Sequence, residues 1–162
     1  MDILSRATLA ETEEEKQLDW EGAVLPLVTP EAAREKDEDG RLPLHRALEK
    51  QAPAKVISAL LQAYSEGSRV KDNYGKLALH LAAARQAPAE IVSMLLRDYN
   101  EGAREKTKYG RLPLHVAAAN QAPSEVVLML LKAFPEGAKE KDDDGRVPML
   151  INPAALQAQP NN

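Results

Sequence analysis

The chain has 162 residues, no cysteine, one Phe, one Trp, four Tyr and a formal net charge of −4. Without cysteine it can form no disulfide and use no thiolate as nucleophile or ligand, and no apolar run approaches the ~18 residues that a membrane span requires. With no secretory h-region after Met1, the expected setting is intracellular and cytoplasmic, a reading that does not separate cytoplasm from nucleus.

The charge is unevenly spread. Residues 1 to 21 hold seven acids and two bases, which leaves 18 acids and 19 bases over the rest. Residues 1–17 are expected to be an acidic, solvated and partly disordered leader, a reading favoured over an interaction tail. A half-unit is expected at 18–36, because Pro30 to Asp37 aligns with Pro135 to Asp142 after a shift of 105 residues. Its helix is predicted over Leu18 to Val28, packing Trp20, Val24, Leu25 and Val28, with Pro26 kinking or shortening it.

From there the chain advances in steps of 35 residues, marked by Gly40, Gly75, Gly110 and Gly145. Full units are read at 37–71, 72–106 and 107–141, and a truncated unit with its tail at 142–162. Each opens on a polar tip, such as Asp37-Glu38-Asp39-Gly40, with the residue types that turns require. Pro43 or Pro113 then suits the first position of a short, Ala-rich helix of about two turns, seven to nine residues long. Pro53, Pro88 and Pro123 mark the start of a second helix, with apolar residues on one face at Val56, Ile57, Leu60, Leu61 and Tyr64 and at the matching positions of the next two units. Tyr64, Tyr99 and Phe134 close that stripe and are read as core. In the last unit Pro148 to Ile151 starts another first helix, Pro153 interrupts it, and the tail from Gln157 is expected to fray. One helix pair cannot bury its stripe alone, so successive units must stack.

Turn, short helix, reversal, longer helix and return, with LPLH at 42–45 and 112–115 and LALH at 77–80, resembles the ankyrin repeat. The resemblance implies an all-α solenoid of stacked helix-turn-helix units with short β-turn or hairpin tips, covering residues 37 to 141. It also implies a protein-binding scaffold without catalytic chemistry. Two departures stand out. The unit is longer than the family's ~33 residues, with additions in QAP between the helices and in the return at AYSEG, DYNEG and AFPEG. The capping Thr is replaced by Leu42, Leu77, Leu112 and Val147, removing an N-cap hydroxyl worth about 1 kcal/mol. Burial of the Leu side chains between adjacent tips is expected to offset that loss.

His45, His80 and His115, the only histidines, invite a metal or catalytic reading. Their equivalent places in stacked units argue against it, because packed helices lie ~8–10 Å apart whereas zinc needs nitrogens ~2.1 Å from one point. The resemblance implies that they bond backbone at the turns and tie units together. With no GK[ST] loop, GxSxG or HExxH, no catalytic residue, cofactor or metal site is assigned.

Twelve cations fall into three ladders: Arg34, Arg69, Arg104 and Lys139; Lys36, Lys71, Lys106 and Lys141; Arg41, Lys76, Arg111 and Arg146. Stacking places them near the turn side, where they would attract an acidic protein or phosphates. Interleaved Glu35, Glu105, Glu140, Asp37, Asp72 and Asp142 favour local ion pairing instead, so a nucleic-acid partner is not expected.

By the resemblance, the tips and the outward ends of the first helices line a concave binding face. The central tips read Asn73, Tyr74, Lys76 and Lys108, Tyr109, Arg111, and the helix ends supply Arg85 and Asn120; the outer tips are acidic. Tyr and Arg dominate binding hot spots, so these eight residues are the candidate partner-binding set. A rival reading has the tyrosines packing on neighbouring tips. The function expected is that of a monomeric module binding a protein, with no small-molecule substrate. The alternatives are a non-catalytic arm of a larger enzyme or signalling protein, and capture of acidic or phosphate-rich ligands by the cation ladders.

Overall fold

The computed structural model describes residues 19–148. Among these residues there are six α-helices and no strand. Inner helices α1 (Pro43–Glu49), α3 (Ala78–Ala84) and α5 (Pro113–Ala119) alternate with outer helices α2 (Ala54–Ala63), α4 (Ala89–Asp98) and α6 (Ser124–Ala133). Inner helices are seven residues long and outer ones ten. A five-residue 3-10 turn follows each outer helix, at Ser65–Arg69, Asn100–Arg104 and Pro135–Lys139.

The layering follows from the apolar pattern. Inner helices pack on inner helices and outer on outer, and each pair packs on itself. The inner layer is built from Leu and Ala, as in Leu79, Leu81, Ala82 and Ala83, which lets the helices approach closely. The outer helices bury Val56, Ile57 and Leu60, then Ile91, Val92 and Leu95, then Val126, Val127 and Leu130. One continuous cluster runs from Trp20 to Leu130, as a stack of nearest-neighbour units requires. Tyr64, Tyr99 and Phe134 are half-buried C-cap residues at the ends of the outer helices.

Pro43 and Pro113 begin α1 and α5, where no N–H is needed. Pro53, Pro88 and Pro123 stand one residue ahead of the outer helices, as N-caps with extended ψ. Between the helices Gln51, Gln86 and Gln121 take positive φ of 56°, 53° and 53°, a conformation glycine adopts at lower cost. The reversal is a Schellman turn: Gln51 N–H bonds the Leu48 carbonyl at 3.1 Å and Ala52 N–H the Ala47 carbonyl at 2.8 Å.

Leu42, Leu77 and Leu112 are buried, at 1%, 1% and 0% exposure. Their contact lies beneath the return turn of their own unit: a β-carbon on Gly102 would meet Leu77 Cδ1 at 3.4 Å and Tyr99 Cδ1 at 3.1 Å. The Glu-Gly pair repeats because that glycine sits over the Leu cap. Val147 departs from the pattern at 40% exposure.

The expected helix from Leu18 to Val28 is corrected. Trp20–Val24 is a single wide π turn and Leu25–Leu27 a 3-10 turn. Gly22 has little helix propensity and Pro26 supplies no N–H, while Asp19 accepts from Gly22 N–H at 2.8 Å and draws the Ala23 and Val24 N–H groups onto its carbonyl. Trp20 and Val24 are buried as expected, and Leu25 and Val28 are half-buried. Leu18, the leader at 1–17, the last first-helix beyond Pro148 and the tail lie outside the described residues.

Two substitutions test these packing arguments. Leu112→Thr is expected to lower unfolding free energy by roughly 1–2 kcal/mol, since the lost packing of ~2–3 kcal/mol exceeds the ~1 kcal/mol of a hydroxyl cap. Gln121→Gly is expected to raise it by about 0.5–1 kcal/mol by relieving the left-handed backbone. Urea denaturation of each variant reads both.

Candidate partner-binding face

Each tip is held by its first residue. Asp72 Oδ1 accepts the N–H groups of Tyr74 and Lys76 at 2.9 and 2.8 Å. Asp37, Asp142 and the hydroxyl of Thr107 make the same pair of bonds in their units. The tip closes with Gly75 N–H on the Asp72 carbonyl at 2.9 Å and Asp72 N–H on the Lys76 carbonyl at 2.9 Å. The N–H bond from Arg146 to the Asp142 side chain is the first cause holding that carboxyl below its ordinary range.

Adjacent tips are joined through backbone. Asn73 N–H donates to the Asp39 carbonyl at 2.9 Å, Lys108 N–H to the Tyr74 carbonyl at 3.0 Å and Asp143 N–H to the Tyr109 carbonyl at 3.2 Å. The contact is close enough that a β-carbon on Gly75, at φ +75°, would lie 2.8 Å from Lys108 N. Gly145 has the same conformation with nothing within 4 Å among the described residues.

The histidines make a second tie. Leu42, Leu77 and Leu112 donate their N–H to the Nδ1 of His45, His80 and His115 at 3.2, 3.1 and 3.2 Å. This is half of a capping box, since Leu offers no acceptor in return. With Nδ1 accepting, the neutral ring carries its proton on Nε2. His80 Nε2 donates it to the Arg111 carbonyl and His115 Nε2 to the Arg146 carbonyl, both 3.1 Å away in the following unit. His45 Nε2 is buried without a partner, near the equivalent Lys76 carbonyl. Burial pushes His80 down to about 4 and also lowers His45. No group of three His, Cys, Asp or Glu suited to a metal occurs among the described residues.

The cation ladders separate into different chemistries. Arg34, Arg69 and Arg104 lie over the rings of Tyr64, Tyr99 and Phe134 in the next unit, at 5.2, 5.2 and 5.3 Å from the ring centres, in cation–π contacts that the sequence reading did not anticipate. The signal was present, since cation and aromatic keep a constant separation. Lys71 pairs with Glu105 at 2.8 Å and Lys106 with Glu140 at 2.9 Å, again across units, and these bonds hold both carboxyls below their usual range. Ser68, buried where other units have Ala, bonds Asp98 of the next unit.

The third ladder points forward and is unevenly neutralised. Arg41 contacts Asp37, Asp39 and Glu49. Arg111 pairs with Asp142 at 3.4 Å and Asp144 at 3.6 Å, and Arg146 with Asp144 at 3.3 Å. Lys76 has no carboxylate partner among the described residues and lies 5.6 Å from the centre of the Tyr74 ring.

The candidate set therefore divides. Tyr74 and Tyr109 are 44% and 57% exposed, on neighbouring tips. Arg85 and Lys108 are exposed, and neither has an ion-pair partner among the described residues. Three candidates have polar atoms already in use. The Asn73 amide donates to the Glu38 carbonyl at 3.0 Å and the Asn120 amide to the Val116 carbonyl at 2.8 Å, while Arg111 is ion-paired.

The stacked helix pairs and the histidine and tip ties between them define a repeat protein, and comparison with known families identifies which. The family model described as ankyrin repeats (3 copies) matches residues 20–106 and 54–144. The chain belongs to the ankyrin repeat family. A comparison with curated proteins found no match. Ankyrin repeats are in general protein–protein interaction modules and generally non-catalytic. Among the described residues no helix is long and apolar enough to cross a membrane.

Because His80 is far less basic when folded than the ~6.5 of an unfolded histidine, stability is full above pH 6.5 and falls as the pH drops toward 4. Between pH 7 and 5 the expected loss from this residue is about 2 kcal/mol. His80→Asn is expected to be less stable at pH 7 but to show a flatter pH dependence over that interval, as read by urea denaturation at each pH.

Proposed function

We propose that this chain is a protein-binding module whose front face, centred on the second and third tips, receives one partner. The working body is three repeats, 37–71, 72–106 and 107–141, between a half-unit at 18–36 and a truncated unit at 142–162. The observation that carries the reading is the pair Tyr74 and Tyr109, 44% and 57% exposed on tips fixed to each other by the Lys108 N–H to Tyr74 carbonyl bond at 3.0 Å. Two broad rings held on rigid backbone offer contact area at small entropic cost. Lys108, Arg85 and Lys76, which lies over the Tyr74 ring, surround them with charge that has no ion-pair partner among the described residues, and Asn73, Arg111 and Asn120 complete the rim.

Rigid presentation is the mechanism. The helices hold the tips, the tips hold the rings, and little rearrangement accompanies binding. The cation–π and Lys–Glu contacts point to a structural role for Arg34, Arg69, Arg104, Lys71 and Lys106, which weakens the reading of the whole ladder set as a phosphate groove.

Affinity purification with mass spectrometry from the source cell, comparing wild type with Tyr74→Ala/Tyr109→Ala, tests the face. The double variant is expected to keep its helical circular dichroism and melting temperature while losing roughly tenfold or more in partner affinity, the scale of two hot-spot contacts. Unchanged affinity in a folded double variant would place the binding face elsewhere.

A further inference from the structure

We infer that the front face takes an acidic peptide segment with basic residues on either side of it, a proposal that rests on the front-face reading above. The argument is the sequence of charges along the stack. At the tip and helix-end positions the two central units carry four cations, Lys76, Arg85, Lys108 and Arg111, and one carboxylate, Asp72, which is buried and accepts the Tyr74 and Lys76 N–H groups. Arg111 is neutralised by Asp142 and Asp144. The other three have no ion-pair partner among the described residues, in a protein that pairs Arg41, Lys71, Lys106 and Arg146 with carboxylates. Cations without an ion-pair partner occur elsewhere among the described residues, as at Lys36, Lys50, Arg97 and Lys141, but at the tips themselves they fall in the two central units, at Lys76 and Lys108, beside the exposed rings.

The outer tips have the opposite sign. Glu38 and Asp39 lie on one side, Asp143 and Asp144 on the other. Glu38 and Asp143 have no ion-pair partner among the described residues. Four tips at a helix-packing step of ~10 Å span about 30 Å, the length of roughly nine extended residues. A ligand crossing all four meets negative, positive, positive, negative, and its complement is a peptide with Glu or Asp in the middle and Lys or Arg at both ends. A nucleic acid fits less well, since its backbone charge is negative throughout and would cross the acidic outer tips.

The test titrates three fluorescein-labelled probes against the full chain by fluorescence polarisation at low and high salt. One is an eleven-residue peptide with an acidic centre and lysine ends, the second an inverted peptide of the same composition with lysines central, the third a single-stranded oligonucleotide. The acidic-centred peptide is expected to bind at least about tenfold more tightly than the inverted one at low salt, with the preference shrinking as salt screens it. Lys76→Glu/Lys108→Glu is expected to abolish or reverse that preference, and Lys76→Met/Lys108→Met to reduce it without changing thermal stability. Equal binding of the two peptides, equal or tighter binding of the oligonucleotide, or an unchanged preference in the charge-reversed variant would overturn the inference. The two readings fail separately. If the tyrosine double variant loses the cellular partner while the charge-reversed variant keeps it, the face stands and the acidic ligand falls; if neither variant affects the partner, the face itself is wrong.

Discussion

A helix of two turns packed on a helix of three cannot cover its own apolar stripe, and every other feature of this protein answers to that constraint. Isolated helices of seven and ten residues are too short to be stable in water. Each must be completed by the units before and after it, so the core is a line rather than a centre. The Ala-rich inner layer and the Val, Ile and Leu of the outer layer serve that line. The polar ties follow the same direction: imidazole to the next unit's carbonyl, tip N–H to the preceding tip's carbonyl, arginine over the next aromatic ring, lysine to the next glutamate.

Those ties determine which charges remain for binding. An ion pair on an exposed surface contributes little to stability, typically less than about 1 kcal/mol, but it removes a cation from the field a partner would feel. Arg69, Lys71, Arg104 and Lys106 of the other two ladders are consumed in this way. At the tips, Lys76 and Lys108 are left without an ion-pair partner among the described residues, at the centre of the front, where the proposed contact is made. The family supplies a general mode of action, protein binding, while the particular ligand is proposed to be set by the residues that vary between tips.

Much of this was legible in the residues. The 35-residue step, the prolines at helix starts and the one-sided outer helices all appear in the structure, because each is a local rule that depends on sequence spacing alone. The burial of the Leu caps was legible too, since an apolar residue in place of a hydroxyl has to find cover, but its place was not: they meet the return turn of their own unit, where burial between adjacent tips was expected. The first half-unit was not. Its apolar spacing suggested one helix, but Gly22, Pro26 and the Asp19 cap divide it into a π turn and a 3-10 turn, and the outcome depends on which backbone groups find partners. The candidate face was legible as a set of positions. Which of its members are already occupied was not, because Asn73, Asn120 and Arg111 look as available in the sequence as Lys108 does.

By itself, then, the sequence determined a stack of ankyrin repeats, where each helix starts and the places where units differ, since period, proline and apolar spacing are local quantities repeated often enough to be unambiguous. Only the tertiary structure decided where the cations go. Arg69 reaches an aromatic ring 30 residues further on and Lys71 a carboxylate 34 residues further on, and such partners meet only after the units have stacked. The same stacking leaves Gln86 in a left-handed turn with its amide on the Asn120 carbonyl at 2.7 Å. It also brings Tyr74 and Tyr109 together on hydrogen-bonded tips, because units 35 residues apart along the chain become neighbours in space.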